Sequence, residues 1–490
     1  MAPSRSFAFF AVVAVAAQRG AAAPRTMMET GPLLDDTADV TNVIDAFDAD
    51  DPFDLRVGLG YSFRSKVAKI RRESNLYQPG LTQGRATAWG ENVAQYTQLT
   101  HALNLRAEAG LWKDLALRVK LPIVLSDSRA LGDLEGSQKN PERRTQADGT
   151  PLFSLPFESP SRSGLDWIGL ELVFGLTNQR RSPALPTWTT SLELQLPIGD
   201  PLQPCSARAA TRCPDPFFYD PQSPSAQRES GKGPGLNRGM TTLIARTSMS
   251  RRSGDVEPYG QLSILADFPT GTSLYTTQDA QKGVILTMPP IVATVVSGVE
   301  VVASEEREHG RSLVVDLQGK ASYISPGRDY SELFDALGSS AASSLRSPNA
   351  AGFREGPLVD GRRTSVADPT AGNVYFTGIT DIAQHIALGG RVALRWQPGR
   401  FVLVALGAGL QWVQGHAISG GDECNTNKKD SLAEAGNCKS ESLAAGGGTN
   451  TSATGIPNPN FRPSIDSPAR RFRVDDTLIV DLSANLAILF

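Results

Sequence analysis

The stretch Thr477-Leu-Ile-Val-Asp-Leu-Ser-Ala-Asn-Leu-Ala-Ile-Leu-Phe490 alternates with a period of two. Leu478, Val480, Leu482, Ala484, Leu486, Ile488 and Phe490 fall on one side, and Asp481, Ser483, Asn485 and Ala487 on the other. Successive side chains of a strand point to opposite faces, so the pattern is that of a strand with one apolar and one polar face. Ile479 and Leu489 interrupt the polar side only near its ends. A strand of a soluble sandwich carries the same alternation, so the choice rests on how often the pattern recurs and on what separates its copies.

It recurs through the chain. Leu55, Val57, Leu59, Tyr61 and Phe63 alternate with Arg56, Gly58, Gly60, Ser62 and Arg64, and a polar stretch runs from there to Asn92. Strands are predicted over 99–111, 115–123, 165–176, 188–198, 240–250, 258–268, 291–303, 312–325, 375–396 and 401–413, and the closing stretch completes twelve. Short turns at Trp112-Lys113-Asp114, 178–186, 253–255, 309–310 and 398–399 alternate with long loops such as 126–163, 199–237, 326–372 and 415–470. Short turns on one side and long loops on the other are the mark of a membrane barrel, and a sandwich has no need of the alternation. About eleven residues tilted near 40° span a hydrocarbon core of roughly 25 Å. The fold class expected is all-β: a transmembrane antiparallel up-and-down β-barrel of twelve strands. Trp112, Trp188, Trp396, Phe401 and Phe490 sort to the short-turn ends, and Phe63, Trp167 and Trp412 to the long-loop ends, as two interfacial aromatic belts would.

The terminal stretch also resembles the last strand of bacterial outer-membrane β-barrels. That resemblance implies that Phe490, Ile488 and Leu486, with Ala484, are read by the barrel-assembly machinery, and that the chain resides among outer-membrane lipid. Three upward strands end alike, at Leu117–Val124 (LRVKLPIV), Leu192–Gly199 (LELQLPIG) and Leu262–Gly271 (LSILADFPTG). Pro122, Pro197 and Pro269 lack a ladder N–H and suit a strand's exit from the sheet. The strand-Pro-x-Gly pattern is similar to that of outer-membrane transporters linked to meta-pathway degradation of aromatic compounds.

The N-terminus reads as a secretory signal: Arg5, an apolar run from Phe7 to Ala17, then small residues. Residues 1–22 are expected to be the signal peptide, 23–53 an acidic periplasmic leader, and 54–490 the barrel. From Glu29 to Asp54 the leader carries Asp35, Asp36, Asp39, Asp45, Asp48, Asp50 and Asp51 and no Lys or Arg. A calcium loop on Asp48, Asp50 and Asp51 is disfavoured, because Phe53 stands where Gly is needed. Cys205 with Cys213, and Cys424 with Cys438, are read as two local disulfides of an exported protein; no Cys-x-x-Cys spacing suggests a metal. A net charge of −3 without a basic stripe argues against nucleic acid.

With apolar residues toward lipid, the intervening charges line the lumen. Arg56, Arg64, Arg106, Arg118 and Lys120 lie on the first three strands, and Arg391 and Arg395 on the tenth. Glu171, Glu193, Asp267, Glu300 and Asp316 lie between them, interrupted by Arg246 and Lys320. Two readings stand: a basic wall facing an acidic wall across a pore, or charges that pair and fill the bore. Neutralising Arg118 and Lys120 is expected to favour cations on the first reading. No catalytic site, cofactor or metal is expected. Of His101, His309, His385 and His416, only His416 has a nearby serine, Ser419, and a nucleophile needs its base within hydrogen-bond reach. The function expected is a passive channel or transporter for a small-molecule solute. The alternative is a non-conducting barrel that displays disulfide-braced loops for adhesion.

Overall fold

The computed structural model describes residues 40–43, 54–74, 89–132, 151–276, 284, 286–351, 353–359, 362–368, 370, 372–425, 439–443, 449–453 and 456–490. Residues 1–22 and Cys438 lie outside them. Twelve long strands close one antiparallel sheet. They are β1 (Leu55–Ser74), β2 (Trp89–Trp112), β3 (Leu115–Gly132), β4 (Trp167–Thr177), β5 (Thr187–Pro197), β6 (Met240–Ser250), β7 (Val256–Pro269), β8 (Val292–Glu306), β9 (Arg311–Ile324), β10 (His385–Gly399), β11 (Val402–Val413) and β12 (Phe472–Leu489). Each pairs with the next, and β12 closes onto β1 from Arg56↔Leu489 to Arg72↔Phe472. Closure leaves no unpaired sheet edge, which a hydrocarbon phase requires.

The outward face is a continuous apolar belt. Leu59, Leu105, Leu172, Leu192, Val295, Val392, Leu410 and Leu482 are all exposed. So many exposed leucines and valines would be costly in water, and they are at home against acyl chains. Leu486, Ile488 and Phe490 belong to this belt. At the short-turn end Trp112 and Phe401 are 62% and 65% exposed, with Trp188, Trp396 and Phe490 beside them. Trp167 departs from the expected belt. It shares the inward parity of Gly169 and Glu171, and a Cβ added to Gly169 would lie 2.7 Å from its ring. The outward positions of β4 are taken by Ile168, Leu170, Leu172, Phe174 and Leu176.

Three strands run well past their expected ends, among them β3, which continues to Gly132 into the stretch read as a loop. The polar stretch after Arg64 stays in β1 to Ser74, and β2 begins at Trp89. Above the belt the apolar side of these strands switches inward. Ala68, Ile70, Ala94 and Tyr96 are buried against Leu333, Leu337, Phe153, Ile418 and Ile465 from the loops. The tenth strand, by contrast, starts at His385 and not near Tyr375.

The long loops fold into a cap seated in that mouth. A short helix, Phe334–Gly338, lies at its centre. Leu333 and Leu337 join the cluster against β1 and β2, while Phe334 joins a second cluster with Leu202, Met240, Tyr275 and Ile379. Buried ions brace the apolar parts. Arg162 donates to both carboxylate oxygens of Asp335, at 3.0 and 2.7 Å, and the two side chains are 0% and 5% exposed. Asp335 also accepts from Ser159 Oγ and the Cys205 amide. Cys205 is disulfide-bonded to Cys213.

Arg462 joins two loops by donating to the carbonyls of Ser347 and Val374 while sitting beside Asp466. Burial pushes Asp466 up to about 6, although its two oxygens accept the amides of Arg462 and Gly420. A raised carboxyl pKa favours folding while both states hold the proton. That contribution fades as pH rises from about 4, where the unfolded Asp466 ionises, through the folded value. Two units of displacement correspond to about 3 kcal/mol. Melting temperatures of the wild type and Asp466→Asn should therefore diverge in slope between pH 4 and 6, with the wild type losing more as pH rises. Parallel slopes would show that Asp466 titrates normally.

Candidate functional site: the charged lumen

The twelve charges expected to line the lumen occupy strand positions that alternate with the exposed apolar ones, and the register decides which of them meet. Arg56 opposes Glu108, Glu108 opposes Arg118, Arg118 opposes Glu171 and Glu171 opposes Glu193. Along this row the first four strands alternate in charge and the fifth repeats the carboxylate, and directly opposed side chains are close enough to pair. Arg118 Nε donates to Glu108 at 2.6 Å. Lys120 reaches Glu171 at 2.7 Å and Glu193 at 2.8 Å, and Arg246 reaches the same two at 2.9 and 2.7 Å. Ser191 donates a further bond to Glu171.

Elsewhere the acidic residues are also engaged. Arg395 is paired with Glu300, and Arg238 bonds both Asp267 and Asp329. Tyr259 Oη donates to Asp316 at 2.7 Å, which relieves the direct opposition of Asp316 and Glu300. Arg238 and Tyr259 complete the network. Tyr259 is legible as an inward strand position, but Arg238 comes from a loop and carries no period to announce it.

The opposite wall is different. Gln318, Arg391, Gly409, Asp481 and Arg64 form one continuous row across β9, β10, β11, β12 and β1. The row beneath it holds Ala393, Gly407, Ser483 and Ser62. Small residues here leave room. A Cβ on Gly407 would lie 2.6 Å from the Arg391 guanidinium, which donates to Ser483. Arg64 is 62% exposed although it faces inward and bonds Asp481 at 2.7 Å. Lys320 and Arg391 are exposed on inward positions as well. This side of the bore therefore carries three cations and one carboxylate on an exposed surface.

Residues 40–43, from the segment read as a periplasmic leader, lie inside the barrel. Val40 packs on Tyr259 and Val296, and Thr41 Oγ1 is 2.8 Å from Ser250 Oγ. The Asn42 carbonyl accepts from Arg118. Ser250 and Arg118 sit near the short turns, so residues 40–43 lie toward that end of the bore.

The histidines do not assemble a nucleophile. His385 and His416 stack at 3.5 Å, each with Nδ1 on a backbone carbonyl. Ser419 donates to the Ile465 carbonyl and accepts the Phe472 amide. His101 faces lipid and bonds Tyr61 Oη at 2.7 Å. His309 lies in a short turn beside Glu306.

No model of a known protein family matches the sequence, and no curated protein matches it. Solved structures of similar form include an outer membrane channel from Pseudomonas putida F1, at 8% identity over 89% of this chain and 95% of that one, with a TM-score of 0.32. The Pseudomonas putida toluene transporter TodX matches at 10% identity over 91% and 90%, with a TM-score of 0.29. The outer membrane protease OmpT of Escherichia coli matches at 9% over 89% and 97%, with a TM-score of 0.25. Likenesses at this level carry no argument about what this chain does. Twelve closed amphipathic strands, an apolar outer belt edged with aromatics and a charged interior make the chain a β-barrel of the bacterial outer membrane.

Proposed function

We propose that the barrel is a non-catalytic channel or transporter for small polar solutes. The chain would divide into a signal peptide over 1–22, a leader over 23–53 and the barrel over 54–490. The observation that carries this reading is the exposure of Arg64 and Arg391 in the row with Gly409 and Asp481, with Lys320 one inward position further along β9 and Gly407 in the row beneath. Side chains that merely filled the bore would be paired and buried, as they are around Glu171. The excess of cations on the open wall favours anions.

Arg64, Lys320 and Arg391 are therefore the selectivity residues, and Arg118 and Lys120, committed to Glu108, Glu171 and Glu193, are not. A unit charge about 4 Å from an ion in water is worth about 1 kcal/mol, or roughly fivefold in permeability ratio. Each of Arg64→Gln, Lys320→Gln and Arg391→Gln should lower the anion-over-cation ratio by about that factor in a planar bilayer at low salt. The effect should shrink near 1 M, where the Debye length is about 3 Å. An unchanged reversal potential in all three would sink the reading.

The cap supports a second reading, a barrel that displays a braced outer surface for adhesion. Its buried Arg162–Asp335 node and disulfide hold the loops as a folded unit. Folded protein that never conducts would favour that reading.

A further inference from the structure

We propose that the lumen holds a binding site for a small oxyanion, a solute bearing a carboxylate or phosphate, in the cavity beside residues 40–43. The cavity has a volume of about 180 Å³ and is bordered by Arg106, Lys120, Arg246, Ser248, Gln261 and Val40. It rests on the channel reading only for how the ligand arrives.

Among the described residues, cations outnumber carboxylates there. Arg106, Arg118, Lys120 and Arg246 gather around three carboxylates, Glu108, Glu171 and Glu193. Lys120 and Arg246 share Glu171 and Glu193, so those four groups balance. Glu108 is the carboxylate that Arg118 and Arg106 both reach. Arg118 takes it at 2.6 Å, and Arg106 reaches it only at 3.3 Å. Arg106 Nε is buried with no hydrogen-bond partner. The Arg106 side chain as a whole is 31% exposed and borders the cavity, so an oxyanion there can take the edge of the guanidinium that Glu108 does not hold.

The leader already shows the chemistry. Its Asn42 carbonyl presents an oxygen to Arg118 at the edge of the same cavity, and Val40 forms part of the border. An oxyanion would add acceptors where the carbonyl leaves Arg106 unserved. Hydroxyl and amide donors from Ser248 and Gln261 face the same space, and Val173 gives it an apolar side.

Titration calorimetry on the detergent-solubilised full chain tests this without any need for conductance. Inorganic phosphate and acetate, each at matched ionic strength, are the two probes, and their relative affinities say which oxyanion the site prefers. Saturable binding of at least one is expected. Arg106→Gln should weaken it about 10- to 100-fold, the loss of a hydrogen bond to a charged group. Arg106→Lys, which keeps the charge, should weaken it less. Arg208→Gln, on the exposed cap, should leave it unchanged. Should Arg106→Gln fail to fold, the wild type still decides: the bound anion must raise its melting temperature beyond choline chloride of equal ionic strength. No saturable heat with either probe, or wild-type affinity in Arg106→Gln, overturns the site. A barrel that conducts but binds neither anion refutes the site alone. One that binds but never conducts refutes the channel alone.

Discussion

Replacing Asp335 with alanine should destabilise the cap by about 3–5 kcal/mol, because it strands the Arg162 guanidinium in a dry interior. The prediction follows from how completely the pair is enclosed. Arg162 is wholly buried, and its remaining acceptors are the backbone carbonyls of Gln203 and Pro234. None of these carries the charge that Asp335 supplies. The loss should spread, since Asp335 also fixes Ser159 and the Cys205 amide and so joins three loops. Limited proteolysis of the folded protein is the direct measurement, with cleavage in the cap rising by orders of magnitude while the barrel stays protected. Arg162→Met with Asp335→Leu should recover much of the loss, because removing both charges leaves nothing unpaired. A single variant as resistant as the wild type would mean that water reaches the pair.

The second large effect is expected at Glu171. It accepts from Lys120, Arg246 and Ser191 at 2.7 to 2.9 Å and is buried. Glu171→Ala removes the acceptor that Lys120 and Arg246 share with Glu193, and leaves Arg118 close by with like charge. A loss of about 3–5 kcal/mol is expected in the urea unfolding equilibrium of vesicle-reconstituted protein. Adding Lys120→Ala should restore part of it, and the double-mutant cycle would give the coupling directly. Additive losses would show that the two side chains do not interact in the bilayer.

The barrel was legible because lipid imposes a period of two on the outward face of every strand, with loop lengths alternating besides. The lower lumen was legible for the same reason, since a residue between two lipid-facing ones faces inward. Partnership was not. Whether Arg118 meets a carboxylate depends on Glu171 lying directly across in β4, and register is a property of two strands that one strand's pattern does not contain. The upper parts of β1 and β2 escaped notice because their apolar side turns inward under the cap. Lys69 and Gln95 then occupy the outside, and the stretch passes for a loop. The cap itself has no period, so Arg162, Asp335 and Arg462 left no trace before the loops were seen folded. Trp167 misled through its position near a strand end, whereas its parity was the better guide.

The row of opposed charges from Arg56 to Glu171 also bears on how the barrel finds its own alignment. Sliding one strand past its neighbour by a single residue would turn its leucines into the lumen, and the bilayer rejects that outcome by itself. Sliding by two residues would not be rejected in that way, for every leucine would still face lipid. It would, however, set Arg118 opposite Gly169 or Val173 in place of Glu171, and the whole string of partners would fall out of step. Apolar alternation thus distinguishes odd displacements from even ones, and the buried charges distinguish among the even ones. Electrostatic pairing in the interior serves as the error check on closure that hydrophobicity has no means of performing.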